Sequence, residues 1–180
     1  GYTIDELFKK GTQFSKKFVI KMATALCNIL KPIHNDNLIH RDISPNNVMY
    51  SQIEDKFYLI DFGNSRLNKI NTPKDTVFAG TPIFMAPEQG GVGTQSDNRT
   101  DIYAIGMLMK FMLTKNTTDK KSKIRGRLGK IIKKCTQSEM ASRYKNVDKL
   151  KFKLSMIKVD DFLFPFKMYL YILIGVIFIL

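Results

Sequence analysis

Cysteine is scarce: only Cys27 and Cys135 carry thiols among the 180 residues, far apart and without a CxxC partner. That spacing argues against a disulfide framework and against a paired-thiol metal or redox motif. Both sit in helically patterned stretches, so two buried thiols in a reducing cytosol are expected. Acidic side chains are also few, 16 against 29 lysines and arginines, which leaves a formal net charge of +13. Such an excess can mark nucleic acid or an anionic membrane surface as a partner. The lysines are dispersed and no nucleic-acid-binding motif accompanies them, so nucleic acid is not expected. No internal repeat is found. The chain begins at Gly1 without an initiator methionine or a signal-peptide pattern, and it is expected to be part of something longer.

What is present suits a globular domain, with 44% hydrophobic and 25% charged residues. Thr3, with Asp5 and Glu6 behind it, predicts the start of a short helix through Phe8 that Gly11 ends. Ser15 predicts a second helix, in which Phe18, Val19, Met22, Leu26, Ile29, Leu30 and Ile33 form an apolar stripe that stops near Pro32 and His34. Short β-like runs follow at 38–39, 48–50 and 57–60, the last two joined by a polar turn. Residues 64–80 are polar and aperiodic, long enough for a functional loop. Helical spacing returns at Ile102, Ile105, Leu108, Met109 and Met112, then at 128–135 and 147–154, with a basic linker before residue 128.

Composition changes abruptly after Asp161, to FLFPFKMYLYILIGVIFIL. Residues 162–180 give nearly the length a spanning helix needs, and Lys158, Lys167, Tyr169 and Tyr171 suit its interfacial ends. A single-pass transmembrane helix after a 155–161 juxtamembrane linker is expected, with the rest of the chain on the cytoplasmic side. A buried terminal helix is the alternative.

The chemistry sits in separate motifs: HRDISPNN at 40–47, DFG at 61–63, GTPIFMAPEQ at 80–89 and TDIYAIG at 100–106. Their order and approximate spacing resemble the catalytic lobe of protein kinases, over most of the chain. The resemblance implies an α+β, predominantly α-helical fold over residues 1–154: the large (C-terminal) lobe of a bacterial-type Ser/Thr protein kinase, with short β hairpins at the catalytic loop. ATP and Mg²⁺ are then the expected cofactors.

By that resemblance, Asp42 orients the substrate hydroxyl and accepts its proton, while Asn47 and Asp61 offer oxygens to the metal. Met49 stands where the family floors the adenine pocket. His40 and Phe62 resemble an internal hydrophobic spine, with Gly63 closing the DFG triplet. Arg41 resembles the arginine that pairs with phosphate on an activation loop. Thr76 is the leading phosphosite candidate and Thr72 the next, with plain loop residues as the alternative reading. Glu88 and Arg143 match a buried ion pair, and Asp101 matches a helix residue that ties down the catalytic-loop backbone.

Three departures qualify this picture. Ser44 stands where such kinases usually carry a lysine that contacts the transferred phosphate, and a hydroxyl supplies no charge. Slower turnover is expected from it. Thr81, in the triplet of Gly80, Thr81 and Pro82, favours Ser or Thr as acceptor and is expected to hydrogen-bond toward both Asp42 and Ser44. No glycine-rich loop and no phosphate-pairing lysine with its glutamate can be assigned in the 180 residues. The small lobe is therefore expected to be missing, and the polypeptide alone to be almost inactive. The stretch between Leu113 and Leu128 leaves little room for a substrate-docking helix.

Expected function is thus a membrane-tethered Ser/Thr protein kinase acting on protein substrates, with autophosphorylation possible. A membrane-anchored pseudokinase or scaffold binding module is the alternative. A small-molecule phosphotransferase ranks last, because it does not account for DFG together with GTPIFMAPEQ.

Overall fold

Helices start where a side chain can take the N–H groups that a first turn leaves unpaired. Thr3 does this for α1 (Ile4–Lys9): its hydroxyl accepts from Glu6 N at 3.1 Å, and Glu6 Oε2 accepts from Thr3 N at 2.7 Å. This reciprocal capping box satisfies two donors at once. The helix stops at Gly11, whose φ of 82° lets Gly11 N reach Phe8 O and Thr12 N reach Leu7 O. A side chain at that φ is disfavoured, which is why a glycine closes the helix.

The computed structural model describes residues 1–67, 81–90, 95–114 and 124–157. Thr72, Thr76, most of the basic linker and the apolar run 162–180 lie outside them.

Ser15 Oγ accepts from Phe18 N at 3.1 Å and opens α2 (Lys16–Asn35). Its inward face is completely apolar: Val19, Ile20, Met22, Ala23, Leu26, Cys27 and Leu30 are buried. Each large aliphatic side chain so placed contributes roughly 1.5–3 kcal/mol. The helix passes through Pro32 rather than breaking there, because a proline in the last turn forfeits only one bond of the ladder. Left-handed Asn37, with φ 57°, then turns the chain.

Two small antiparallel sheets follow. In one, β1 (Tyr2–Thr3), β3 (Val48–Ser51) and β4 (Lys56–Leu59) lie in the order β1-β3-β4, and Val48 faces Leu59 across the hairpin. Alternation along β4 turns Phe57 and Leu59 inward and leaves Lys56 and Tyr58 outside. In the other, β2 (Leu38–Ile39) pairs with β5 (Arg66–Leu67). Thus the stretch expected to be irregular from residue 64 onward contains a short strand at Arg66–Leu67, and Tyr2 contributes to another.

α3 (Asn98–Thr114) and α4 (Gly126–Cys135) pack together, and a further helix, α5, occupies 147–157. Gly106 lets α3 and α4 meet closely: a Cβ there would lie 2.5 Å from Cys135 Cβ and 2.9 Å from Thr136 Cγ2. One continuous core joins α2, α3, α4 and α5 through Leu26, Ile105, Leu108, Ile132, Leu150 and Leu154. Cys27 and Cys135 belong to it as free thiols, and burial pushes Cys27 up to about 12. The architecture is α+β and mainly helical. No helix among the described residues is long and apolar enough to cross a membrane.

Candidate active site

The segment between β2 and β3 has almost no regular structure, so side chains must hold its shape. Asp101, fully buried in the first turn of α3, supplies the main anchor. Its Oδ1 accepts from Arg41 N at 2.8 Å, and its Oδ2 accepts from His40 N at 3.0 Å and from His34 Nε2 at 2.7 Å. A carboxylate only accepts, so His34 must carry its proton on Nε2. Arg41 is held at φ 69°, a left-handed conformation that costs a non-glycine residue on the order of 1–3 kcal/mol. Gln89 adds a second clamp, donating from Nε2 to Arg41 O at 2.8 Å while its Oε1 accepts from Ala86 N at 3.0 Å.

This bracing delivers Asp42 to a position where four donors converge on its carboxylate. Thr81 N and Thr81 Oγ1 donate to Oδ1 at 2.9 and 3.0 Å, while Asn47 Nδ2 and Asn64 Nδ2 donate to Oδ2 at 3.0 and 3.2 Å. Asn47 Nδ2 also donates to Asp42 O at 2.9 Å, which leaves the amide oxygen of Asn47 outside these bonds. A carboxylate offers about four lone-pair sites. All are taken here, and a fifth donor must displace one of the four.

Sheet register brings the DFG triplet to the same place. Since Val48 pairs with Leu59, Asn47 lies opposite Ile60, and Ile60 N donates to Asn47 O at 2.9 Å. Asp61 is the next residue, exposed, with φ 62° and its Oδ1 accepting from Gly63 N at 3.0 Å. Phe62 turns back so that its ring meets His40 edge-on, centroids 4.7 Å apart. Burial holds the His40 imidazole below its usual pKa despite the nearby Asp101 carboxylate. Met49 lies half-buried in β3, its sulfur 3.1 Å from where a Gly1 side chain would begin.

Asn47 and Asp61 are two hard oxygen donors, and no cluster of three or more metal-ligating His, Cys, Asp or Glu occurs among the described residues. Two such donors fit Mg²⁺, which takes few protein ligands and completes its shell with phosphate and water.

Below the loop, Arg143 meets Glu88 through two parallel bonds of 2.6 and 2.8 Å. Its remaining donors go to the carbonyls of Gln137, Ser138 and Arg99, and Thr100 Oγ1 donates to Glu88 at 2.8 Å. Such complete pairing is what a buried charge pair requires.

One expectation needs correction: Thr81 bonds to Asp42 but not to Ser44. Ser44 is fully buried and its Oγ has no hydrogen-bond partner, because Thr81 spends its hydroxyl on the carboxylate. Three contributors were not singled out from sequence: His34, Asn64 and Gln89. His34 and Gln89 reach partners 67 and 48 positions away, which no local pattern announces. Asn64 directly follows DFG and could have been suspected from that alone. Arg41 is buried, and burial together with the neighbouring Arg66 lowers its guanidinium from the usual value. Thr72 and Thr76, the residues suggested as its phosphorylated partners, lie outside the described residues.

The sequence profile of the protein kinase domain matches residues 1–161. A protein of Acanthamoeba polyphaga mimivirus, provisionally named a serine/threonine-protein kinase, is 33% identical over 145 residues, covering 78% of this chain and 51% of its own length. Serine/threonine-protein kinase B of Synechocystis sp. is 27% identical over 184 residues, which is 89% of this chain and 32% of that protein. Serine/threonine-protein kinase D of the same organism is 30% identical over 170 residues, 82% of this chain and 32% of its own length. The chain therefore spans about half of the first relative and about a third of the other two.

Proposed function

Since the chain belongs to the protein kinase family, we propose that it forms the catalytic lobe of a kinase that transfers the γ-phosphoryl group of ATP to Ser or Thr hydroxyls of proteins. One observation carries this reading: Asp42 is hydrogen-bonded to both Asn47 and Thr81. In the reaction a bond forms between the substrate hydroxyl oxygen and the γ-phosphorus, the bond to the β–γ bridging oxygen breaks, and ADP leaves. The hydroxyl proton passes to Asp42. For the hydroxyl to reach the carboxylate it must replace one of the four donors there, and Asn64, the longest at 3.2 Å, is the first to yield. Asn47 and Asp61 hold Mg²⁺, which when bound neutralises the phosphate charge. Met49 supports the adenine, and Arg41 receives a phosphate carried by Thr76 or Thr72.

Positioning and electrostatics dominate this chemistry. The 180-residue polypeptide alone is expected to be almost inactive, since no glycine-rich cover and no usual phosphate-pairing lysine can be assigned among its residues. The apolar run 162–180 supports a single-pass tether that holds the lobe at the cytoplasmic face of a membrane. Ser44 favours a second reading, a membrane-anchored pseudokinase or scaffold, because a buried hydroxyl replaces a cation at the phosphate.

Expression with the upstream reading frame restored distinguishes the two. ATP-dependent labelling of the protein itself and of a generic basic protein is expected to fall about 100-fold or more in Asp42→Asn. Equal labelling from both forms removes Asp42 from its role, and no labelling from either favours the scaffold.

A further inference from the structure

A cavity of about 300 Å³ opens between α4 and α5, away from the residues that hold Asp42. Its floor is made by the buried Ile131, Tyr144 and Ile157, and Lys130, Lys134, Lys153 and Met156 stand around it. Residues 124–157 contain ten lysines and arginines against two acids, Glu139 and Asp148. Asp148 is engaged by Lys31 at 3.0 Å, and no carboxylate among the described residues pairs with the three cavity lysines. Beside the cavity, Phe152 is 58% and Met156 42% exposed. Cations around an apolar floor, with large apolar side chains projecting next to them, match a ligand that is anionic at one end and hydrocarbon at the other.

We propose that the α4–α5 face binds the surface of an anionic phospholipid bilayer. Lys130, Lys134 and Lys153 hold headgroup phosphates, and Phe152 and Met156 enter the acyl boundary. The proposal rests in part on the membrane reading of residues 162–180. α5 is described to residue 157, and the five residues from there to Phe162 reach at most about 18 Å. If the apolar run enters a bilayer, that short reach lets the basic face come into contact with the lipid surface, where its lysines lie within one Debye length of the headgroups and are not screened from them. Nucleic acid would use the lysines but leaves the aliphatic Ile131 and the exposed Met156 without a role, so it is the weaker match.

The sequence contains no tryptophan, so Phe152→Trp gives a unique fluorescent reporter on this face. The full 180-residue chain carrying it is mixed with vesicles of phosphatidylcholine alone, or of phosphatidylcholine with a third phosphatidylglycerol. A blue shift and quenching by brominated lipid are expected only with the anionic vesicles. The triple variant Lys130→Glu, Lys134→Glu, Lys153→Glu should weaken that partitioning roughly a hundredfold or more. Near-UV circular dichroism and the thermal midpoint check that it is folded; single reversals, each with a smaller loss, replace it if it is not. Flotation reports separately on the tether, which predicts co-migration with both vesicle types and of the charge-reversed chain. Flotation without a lipid-dependent shift overturns the face and spares the tether. A shift confined to anionic vesicles, with no flotation on neutral ones, does the opposite. A shift given by polyuridylate or polyglutamate but not by anionic vesicles assigns the face to another partner and overturns the proposal.

Discussion

The two halves of the candidate active site are held in different ways. The catalytic loop, residues 40–47, is mostly buried and is bolted from beneath by Asp101 and Gln89, both with no measurable or almost no exposure. The DFG triplet, residues 61–63, is exposed, and its fixings are one turn bond within the triplet, one bond from Ser65 N to Phe62 O at 3.0 Å and one ring contact, with the backbone rung to Asn47 made by the preceding Ile60. The first half is organised by the lobe itself. The second presents its groups outward. Local stability is expected to follow this difference, since buried and fully bonded backbone opens last.

Removing the bolt is the strongest way to break the contrast. Asp101→Ala leaves two buried backbone donors and His34 without an acceptor, and is expected to cost about 4 kcal/mol in urea denaturation, since each unsatisfied group costs about 1–3 kcal/mol. A loss below about 1 kcal/mol would mean the loop is held by something else. Phe62→Ala, in the exposed half, should cost only about 1 kcal/mol, because its ring is already 43% exposed. If the two variants were equally damaging, the distinction between the halves would disappear.

Acid sharpens the same contrast. The His40 imidazole is held below its usual pKa by burial, so the unfolded chain binds the proton more readily. That contribution to stability is complete above the unfolded value of about 6.5 and is lost as pH falls through it toward the folded value. Denaturation midpoints between pH 7.5 and 5.5 should therefore drop, and less steeply in His40→Phe, which keeps a ring against Phe62. An identical slope in both proteins assigns the effect to other groups. The smallest change expected is at Ser44. Its hydroxyl is buried without a partner, so Ser44→Ala should alter stability by no more than about 0.5 kcal/mol in either direction, as measured by thermal unfolding.

Local chemistry made some of this legible in advance. Thr3 and Ser15 announce their helices because a cap needs only the next three residues, and the stripe from Val19 to Leu30 announces which face of α2 is buried. The motifs located the loop, the DFG triplet and Asp101 by resemblance. The two-residue strands β1 and β5 were hidden, since Tyr2–Thr3 and Arg66–Leu67 each hold a polar residue and lack the apolar pair that marks Leu38–Ile39, and they are held as strands by their partners. Gln89 and His34 were hidden for a related reason: their roles depend on backbone and carboxylate groups brought near by tertiary packing. The expected bond between Thr81 and Ser44 did not form because the Asp42 carboxylate competes better for one hydroxyl than a neighbouring neutral hydroxyl does.

The pairing of β1 with β3 has a consequence for anything joined ahead of this chain. Tyr2 and Thr3 are stitched to Tyr50 and Met49, so the polypeptide enters at a fixed gatepost beside the methionine sulfur. A companion domain fused there starts its journey with its heading already set, and two rungs of a ladder do the aiming. Lengthening that junction by a few flexible residues would loosen the alignment without touching a single group inside the lobe.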